Sequence, residues 1–265
     1  MKTKQEVLDT IRDHLIVSCQ GLEPNPFSTP ERLLLMADCA VMGGAVGFRA
    51  NMPQNIEIIK KKYPDMPMIG IWKIQTGDNE VYITPTMKAV DKIVELGCEI
   101  VALDATNRIN AYGHYAWELI KQIKEKYPDV VVMADIATLE DAKIAAREGA
   151  DIIATTLAGY TADSQEYKTC AAFPLLKQIK EANLGKFILC EGKIWTREDA
   201  VEALLAFQIK QARLKKELTQ EGLSDISEID QADISKIENG KLSPTLNTIK
   251  RIARALDTTI TLTIK

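Results

Sequence analysis

No run in this sequence approaches the ~18 consecutive apolar residues that a membrane-crossing helix needs. The opening Met1-Lys2-Thr3-Lys4-Gln5-Glu6 also lacks the apolar core of a secretion signal. Both absences lead to the expectation of a cytoplasmic protein. The five cysteines, Cys19, Cys39, Cys98, Cys170 and Cys190, contain no C-x-x-C pair. An odd, scattered set excludes a disulfide framework and a structural zinc site. Cys19 and Cys190 fall at apparent strand ends and read as small buried fillers rather than reactive thiols. Also missing are a nucleophile elbow, any metal-ligand spacing and a dinucleotide fingerprint, and Gly43-Gly44 is only a turn signal. Strong charge of one sign is lacking as well, the net value being −4. That near balance hides an asymmetry, with residues 1–206 at −6 and residues 207–265 at +2. Two parts with different partners follow from it.

What is present, over 265 residues with 46% hydrophobic and 26% charged content, is enough for a barrel-sized domain with a small module. Apolar runs of strand length alternate with helical patterns. The strand readings are Leu15–Gln20, Ala45–Arg49, Met68–Lys73, Ile100–Asp104, Val130–Asp135, Ile152–Thr156 and Phe187–Glu191. Between them lie helices over 4–14, Thr29–Cys39, Pro53–Tyr63, Met87–Glu95, Tyr115–Lys126, Leu139–Glu148 and Pro174–Glu181. Another opens at Thr196, with Thr196 and Asp199 as a capping box. Such alternation implies a parallel sheet curled into a (β/α) barrel. The carboxyl ends of these strands carry Ser18 and Gln20, Arg49, Lys73, Asp104, Asp135, Thr155 and Thr156, and Glu191. In a barrel those ends share one face, where the fold places its chemistry.

A partly desolvated lysine among acids and an arginine suits proton abstraction from carbon beside a carbonyl. The neutral amine takes the proton, a carboxylic acid or arginine stabilises the enolate oxygen, and a second carboxylate holds the lysine. A Schiff-base lysine fits the same set, and spacing alone does not separate the two.

The segments Ile16–Gln20, Phe48–Asn51, Ile69–Lys73, Tyr82–Thr86, Ala102–Thr106, Met133–Ile136, Thr155–Thr161 and Cys190–Ile194 together resemble the N-acetylmannosamine-6-phosphate 2-epimerases, in order and at every strand end. The resemblance covers about residues 15–204 and implies a first domain over 1–204. It also implies interconversion of N-acetylmannosamine 6-phosphate and N-acetylglucosamine 6-phosphate, in sialic acid breakdown, with no organic cofactor. By this likeness Lys73 is the proton-transferring base, Glu191 the acid that assists enolisation of the open-chain aldehyde, and Asp135 an orienting group. Gln20 and Arg49 bind the sugar, joined by Ser18, Asp104 and Tyr160.

Past Leu204 the family pattern of a glycine, a final strand and a Thr-Arg-Pro turn holding the phosphate is missing. The expected fold is therefore a (β/α)8-type barrel without its own eighth strand. Residues 207–265 read as a second, all-helical domain. Leu214, Leu218, Leu223, Ile229, Ile234 and Ile237 face inward, with Leu246, Ile249, Ile252 and Leu256 on the last helix. This part resembles the helix-turn-helix of phage-repressor-like regulators and antitoxins, with Gln231–Ile237 as the recognition helix. The resemblance puts Gln220 near DNA phosphates and Gln231, Ala232 and Lys236 at the groove. Asp230 and Asp233 oppose DNA, and Glu228 stands where the turn usually has glycine. The alternating tail Thr258–Ile264 has a strand's period and fits either a homodimer pairing or the vacant barrel slot. Three functional expectations remain, of which the first is an epimerase with an appended module and the second a DNA-binding regulator whose barrel senses an amino-sugar phosphate. A recombined chain that does neither well is the third.

Overall fold

The computed structural model describes residues 2–12, 14–21, 23–196, 209–210, 212–238, 242 and 244–258. The chain divides into two compact units, the first comprising residues 1–168 and 178–189 and the second 169–177 and 190–265. Among the described residues no helix is long and apolar enough to cross a membrane.

The first unit opens with α1 (Lys4–Ile11), whose start is fixed by a reciprocal Thr3/Glu6 capping box. Seven parallel strands follow in sequential order: β1 (Ile16–Cys19), β2 (Gly47–Asn51), β3 (Met68–Ile71), β4 (Ile100–Asp104), β5 (Val131–Asp135), β6 (Ile152–Ala154) and β7 (Phe187–Leu189). The connecting helices are α2 (Pro30–Met42), α3 (Pro53–Lys62), α4 (Met87–Glu95), α5 (Glu118–Lys126), α6 (Leu139–Glu148) and α7 (Phe173–Glu181). A 3-10 segment, Ala162–Tyr167, precedes α7. Helices start where threonine side chains accept orphan N–H groups, as Thr29, Thr86 and Thr138 do.

The alternating β/α order is the one expected, while several ends move. β3 stops at Ile71 instead of Lys73, β2 runs to Asn51, β6 ends at Ala154, and α5 begins at Glu118 rather than Tyr115. Strands buried on both faces have no polar alternation to mark their ends, so the sequence places their boundaries loosely.

β2 to β5 are buried along their whole length, whereas β1 and β7 are only partly covered. Each of these two pairs with one neighbour, β1 with β2 and β7 with β6. Among the described residues they are the two edges of the sheet, and none of these residues forms a strand that joins one edge to the other. Within the curl, Ile69, Ile71, Ile100, Ala102, Val131, Met133, Ile152 and Ala154 form one core cluster, and Val7, Leu8 and Ile11 of α1 pack into it. Lys4 of α1 and Lys124 of α5 both reach Asp151, at 3.1 and 2.8 Å. On the other face α4 lies so close to β3 that a Cβ on Gly70 would come within 2.4 Å of the Ile93 side chain. Only glycine permits that approach.

In the second unit α8 (Gln220–Ser227), α9 (Gln231–Glu238) and α10 (Leu246–Ala255) surround a core of Ile209, Leu223, Ile229, Ile234, Ile237, Ile249, Ile252 and Leu256. Leu218 packs partly against it. Leu214, expected inward, is 46% exposed. The buried neighbour is Arg213, which pairs with Glu238, and one residue further along a helix the side chain is rotated roughly 100° away. The side chain of Leu246, the helix expected after Thr196 and the tail beyond Thr258 fall outside the described residues.

Candidate active site

Residues paired across a parallel sheet project from the same face, so one register row identifies the wall of the curled sheet. Ser18 pairs with Arg49, Asn51 with Ile71, Asp104 with Asp135, and Asp135 with Ala154. The apolar members of this face, among them Ile71 and Ala154, belong to the interior cluster. Ser18, Arg49, Asn51, Asp104 and Asp135 therefore line the inside of the curl near the carboxyl ends. Two residues beyond Ile71, the same alternation carries Lys73 to this side, where it is half-buried and bridged to Ile83.

Arg49 and Asp135 meet across the interior. The two terminal nitrogens of the guanidinium donate to the two carboxylate oxygens at 3.1 and 2.6 Å, with both side chains buried. β2 and β5 are three strands apart, roughly 14 Å in a flat sheet, so the contact depends on curvature. The Thr156 hydroxyl donates to Asp135 Oδ1 at 2.7 Å. A forked, charge-assisted pair with a further donor is the arrangement that tolerates burial.

Asp104, fully buried beside Asp135, accepts from the Thr106 N–H and hydroxyl at 3.0 and 2.6 Å and from Arg108 at 2.9 Å. Burial pushes its carboxyl above the ordinary 3.8, and the Asp135 charge adds to this, while Arg108 and Thr106 oppose it. A carboxyl whose pKa rises on folding binds its proton more tightly in the folded state, so its contribution to stability falls as pH climbs from 3.8 through the raised value. We expect the Asp104→Asn chain to gain in Tm relative to the parent across that climb. A difference in Tm that stays flat with pH would show that Arg108 and Thr106 fully compensate the burial.

Gln20 Nε2 donates to Ser18 Oγ at 2.7 Å, and Gln20 Oε1 is buried without a hydrogen-bond partner. Tyr160 is 60% exposed. Glu191 lies in the second unit and is half-buried. Cys19 is buried, and that burial pushes its thiol up to about 11, which leaves it a filler. Two residues escaped sequence reasoning. Asn51 had a usable signal, since it stands two positions after Arg49 and so on the same face. Arg108, in a loop, had none.

The second unit carries its own polar chain. Arg213 Nε and Nη2 bind Glu238 at 2.6 and 2.9 Å, and Arg213 Nη1 donates to the Leu218 carbonyl at 2.6 Å. Gln220 Nε2 donates to Glu238 Oε2 at 2.8 Å, and Gln231 Nε2 reaches Gln220 Oε1 at 3.3 Å. Gln231, Ala232 and Lys236 are exposed along α9. Of the two acids expected to oppose DNA, Asp230 caps α9 by accepting from the Ala232 N–H at 2.8 Å, and Asp233 pairs with Lys236 at 2.9 Å. Glu228 adopts φ 54° in the turn, the left-handed conformation that explains the usual glycine. Its carbonyl is held by Arg251.

Sequence comparison places residues 33–210 in the family described as "Putative N-acetylmannosamine-6-phosphate epimerase" and residues 209–262 in one described as "Helix-turn-helix". A relative from Caldanaerobacter subterraneus subsp. tengcongensis, named "Putative N-acetylmannosamine-6-phosphate 2-epimerase", is 43% identical over 76% of this chain and 84% of its own length. One of the same name from Enterobacter sp. (strain 638) is 45% identical over 77% of this chain and 85% of its own. The solved N-acetylmannosamine-6-phosphate 2-epimerase from Clostridium perfringens superposes with a TM-score of 0.70 at 37% identity, covering 77% of this chain and 87% of that one.

Proposed function

Because the chain belongs to the N-acetylmannosamine-6-phosphate epimerase family, we propose that it interconverts N-acetylmannosamine 6-phosphate and N-acetylglucosamine 6-phosphate at C2, with Lys73 as the proton-transferring base. The observation that carries this reading is the interior row of Arg49, Asn51, Asp104 and Asp135, which continues into Lys73. In the open-chain sugar the C2 proton lies next to the C1 aldehyde, and its removal leaves an enolate delocalised onto the C1 oxygen. A neutral Lys73 amine takes that proton while Glu191, in the acid role that the family likeness gives it, supplies one to the aldehyde oxygen. Once the other face of C2 is turned to it, the Lys73 ammonium returns a proton to carbon and the enol O–H proton goes back to the carboxylate, which gives the epimer. Arg49, locked by Asp135, which Thr156 holds in turn, is a cation whose position is set before substrate arrives. Gln20, with its unmatched Oε1, is a natural partner for a sugar hydroxyl, and Ser18, Asp104 and Tyr160 complete the binding set. The test is to incubate the chain with N-acetylmannosamine 6-phosphate in heavy water and read C2 by NMR. Deuterium entering C2 with formation of the second sugar is the expected result, and a C2 proton that persists indefinitely would refute the assignment.

The domain boundary falls at about residue 207, and the second domain binds DNA in the cytoplasm as a homodimer. Support comes from the helix-turn-helix match and from the exposed Gln231, Ala232 and Lys236 on α9. Gln220, at the start of α8, is the residue we assign to the phosphates. A dimer presents two recognition helices to two half-sites. Gln231→Ala should weaken binding to a selected site by about tenfold or more while leaving the salt slope unchanged. Fluorescence anisotropy across a salt series measures both quantities. Binding that ignores salt and sequence alike would instead favour a purely structural module.

A further inference from the structure

β3 ends at Ile71, and the N–H groups of the next two residues are satisfied by side chains instead of by ladder carbonyls. Trp72 N–H goes to Thr84 Oγ1 at 3.2 Å, and Lys73 N–H goes to Asn51 Oδ1 at 2.9 Å. Asn51 is 1% exposed, and its register partner is Ile71. Its own carbonyl is held by Asn55 Nδ2 at 2.8 Å, from the first turn of α3, and the following Met52 N–H binds the Ile71 carbonyl at 3.1 Å. From the other side the segment 82–84 straps the residues that flank Lys73. Ile74 N–H binds Tyr82 O, and Thr84 N–H binds Trp72 O, both at 2.9 Å. Thr84 does this at φ 48°, a conformation a β-branched residue adopts only under constraint.

We propose that Asn51 is a positioning residue for the reaction, its amide oxygen fixing the backbone of Lys73 and so the pivot from which the amine swings. The inference rests on the reading of Lys73 as the base. A lysine amine sits on a flexible four-carbon stem, so its reach is defined by packing along the stem and by where its Cα is held. Past the end of a ladder the Cα loses the usual restraint, and a buried amide at the tip of the adjacent strand restores it. Displacement of a reacting group by about 1 Å lowers a rate by about 100-fold.

The test compares Asn51→Leu, Asn51→Ala and Asn51→Asp in the full chain, by C2 deuterium exchange, kcat and KM, with Lys73→Ala alongside. Leucine keeps the volume and removes the acceptor, and alanine serves should leucine fail to fold. We expect kcat and exchange to fall by about 100-fold in both, with KM moving by less than about threefold. Aspartate keeps the acceptor, so most of the rate returns, and its added negative charge moves the rising limb of the pH–rate profile to higher pH by favouring the ammonium form. Leucine and alanine variants that run within about twofold of the parent, or a loss confined to KM, or no recovery with aspartate, would each overturn the proposal. If Lys73→Ala still exchanges, the base assignment itself has failed. If that variant is dead while the Asn51 variants keep the parental rate, only the positioning role is lost.

Discussion

In the Lys73→Ala chain, deuterium enters C2 of N-acetylmannosamine 6-phosphate at least about 10³-fold more slowly than in the parent. General acid–base catalysis by one placed group contributes about 10² to 10⁴-fold, and the upper part of that range applies where no water-exposed base can substitute. The fold should survive the change. Two ties of residue 73, its N–H bond to Asn51 and its bridge to Ile83, are made by the main chain. Alanine retains these. Lys73→Arg should not recover the rate, because a guanidinium stays protonated at any working pH and cannot accept a proton from carbon. Measuring exchange rather than net epimerisation isolates the base from steps elsewhere in the cycle. Exchange within about tenfold of the parent in Lys73→Ala would remove this residue from the mechanism.

The second large effect concerns the helical module. Glu238→Ala should unfold the second domain while the parallel sheet of the first persists. Glu238 is buried and takes two bonds from Arg213 and one from Gln220. Removing the carboxylate strands a buried guanidinium, and breaking one partner of a buried pair costs about 3–5 kcal/mol. A module of about 60 residues has a total stability on the order of 3–9 kcal/mol, so the loss takes much or all of it. Replacing both partners with apolar residues of similar volume should be far milder, since no charge is left unpaired. Thermal melts of the full chain followed by circular dichroism would show the helical transition falling by tens of degrees, or vanishing, in Glu238→Ala. A shift of only a few degrees would mean that solvent reaches Arg213 and that the pair is peripheral. DNA binding, if it resides in α9, should disappear with the transition.

These two predictions draw on the sequence to different degrees. Lys73 stood out in the sequence because an apolar run closed on it, although the run proved to be strand only as far as Ile71. The Arg213–Glu238 pair did not stand out. Helical periodicity favoured Leu214 as the inward residue, and only the packed structure shows that a paired arginine holds the inward position while the leucine faces solvent. A periodicity argument assigns faces by hydrophobicity and has no way to credit a charge whose partner lies 25 residues away. The same limit applies to Asn51. Its face was readable from Arg49, but its task was not, because the residue it serves follows the end of the neighbouring strand.

The sequence by itself determined the alternation of strands and helices, the family, and the set of polar strand ends. These are properties of spacing two and 3.6 along the chain, and they survive without knowledge of what is adjacent in space. The tertiary structure alone decided that Arg49 reaches Asp135 from 86 residues away, that Asp104 is buried beside that pair, and that Lys73 hangs from Asn51. The first of these contacts exists because the sheet curls and brings distant strands within a side chain's length of each other. Curvature belongs to the assembled sheet and to no single segment of it.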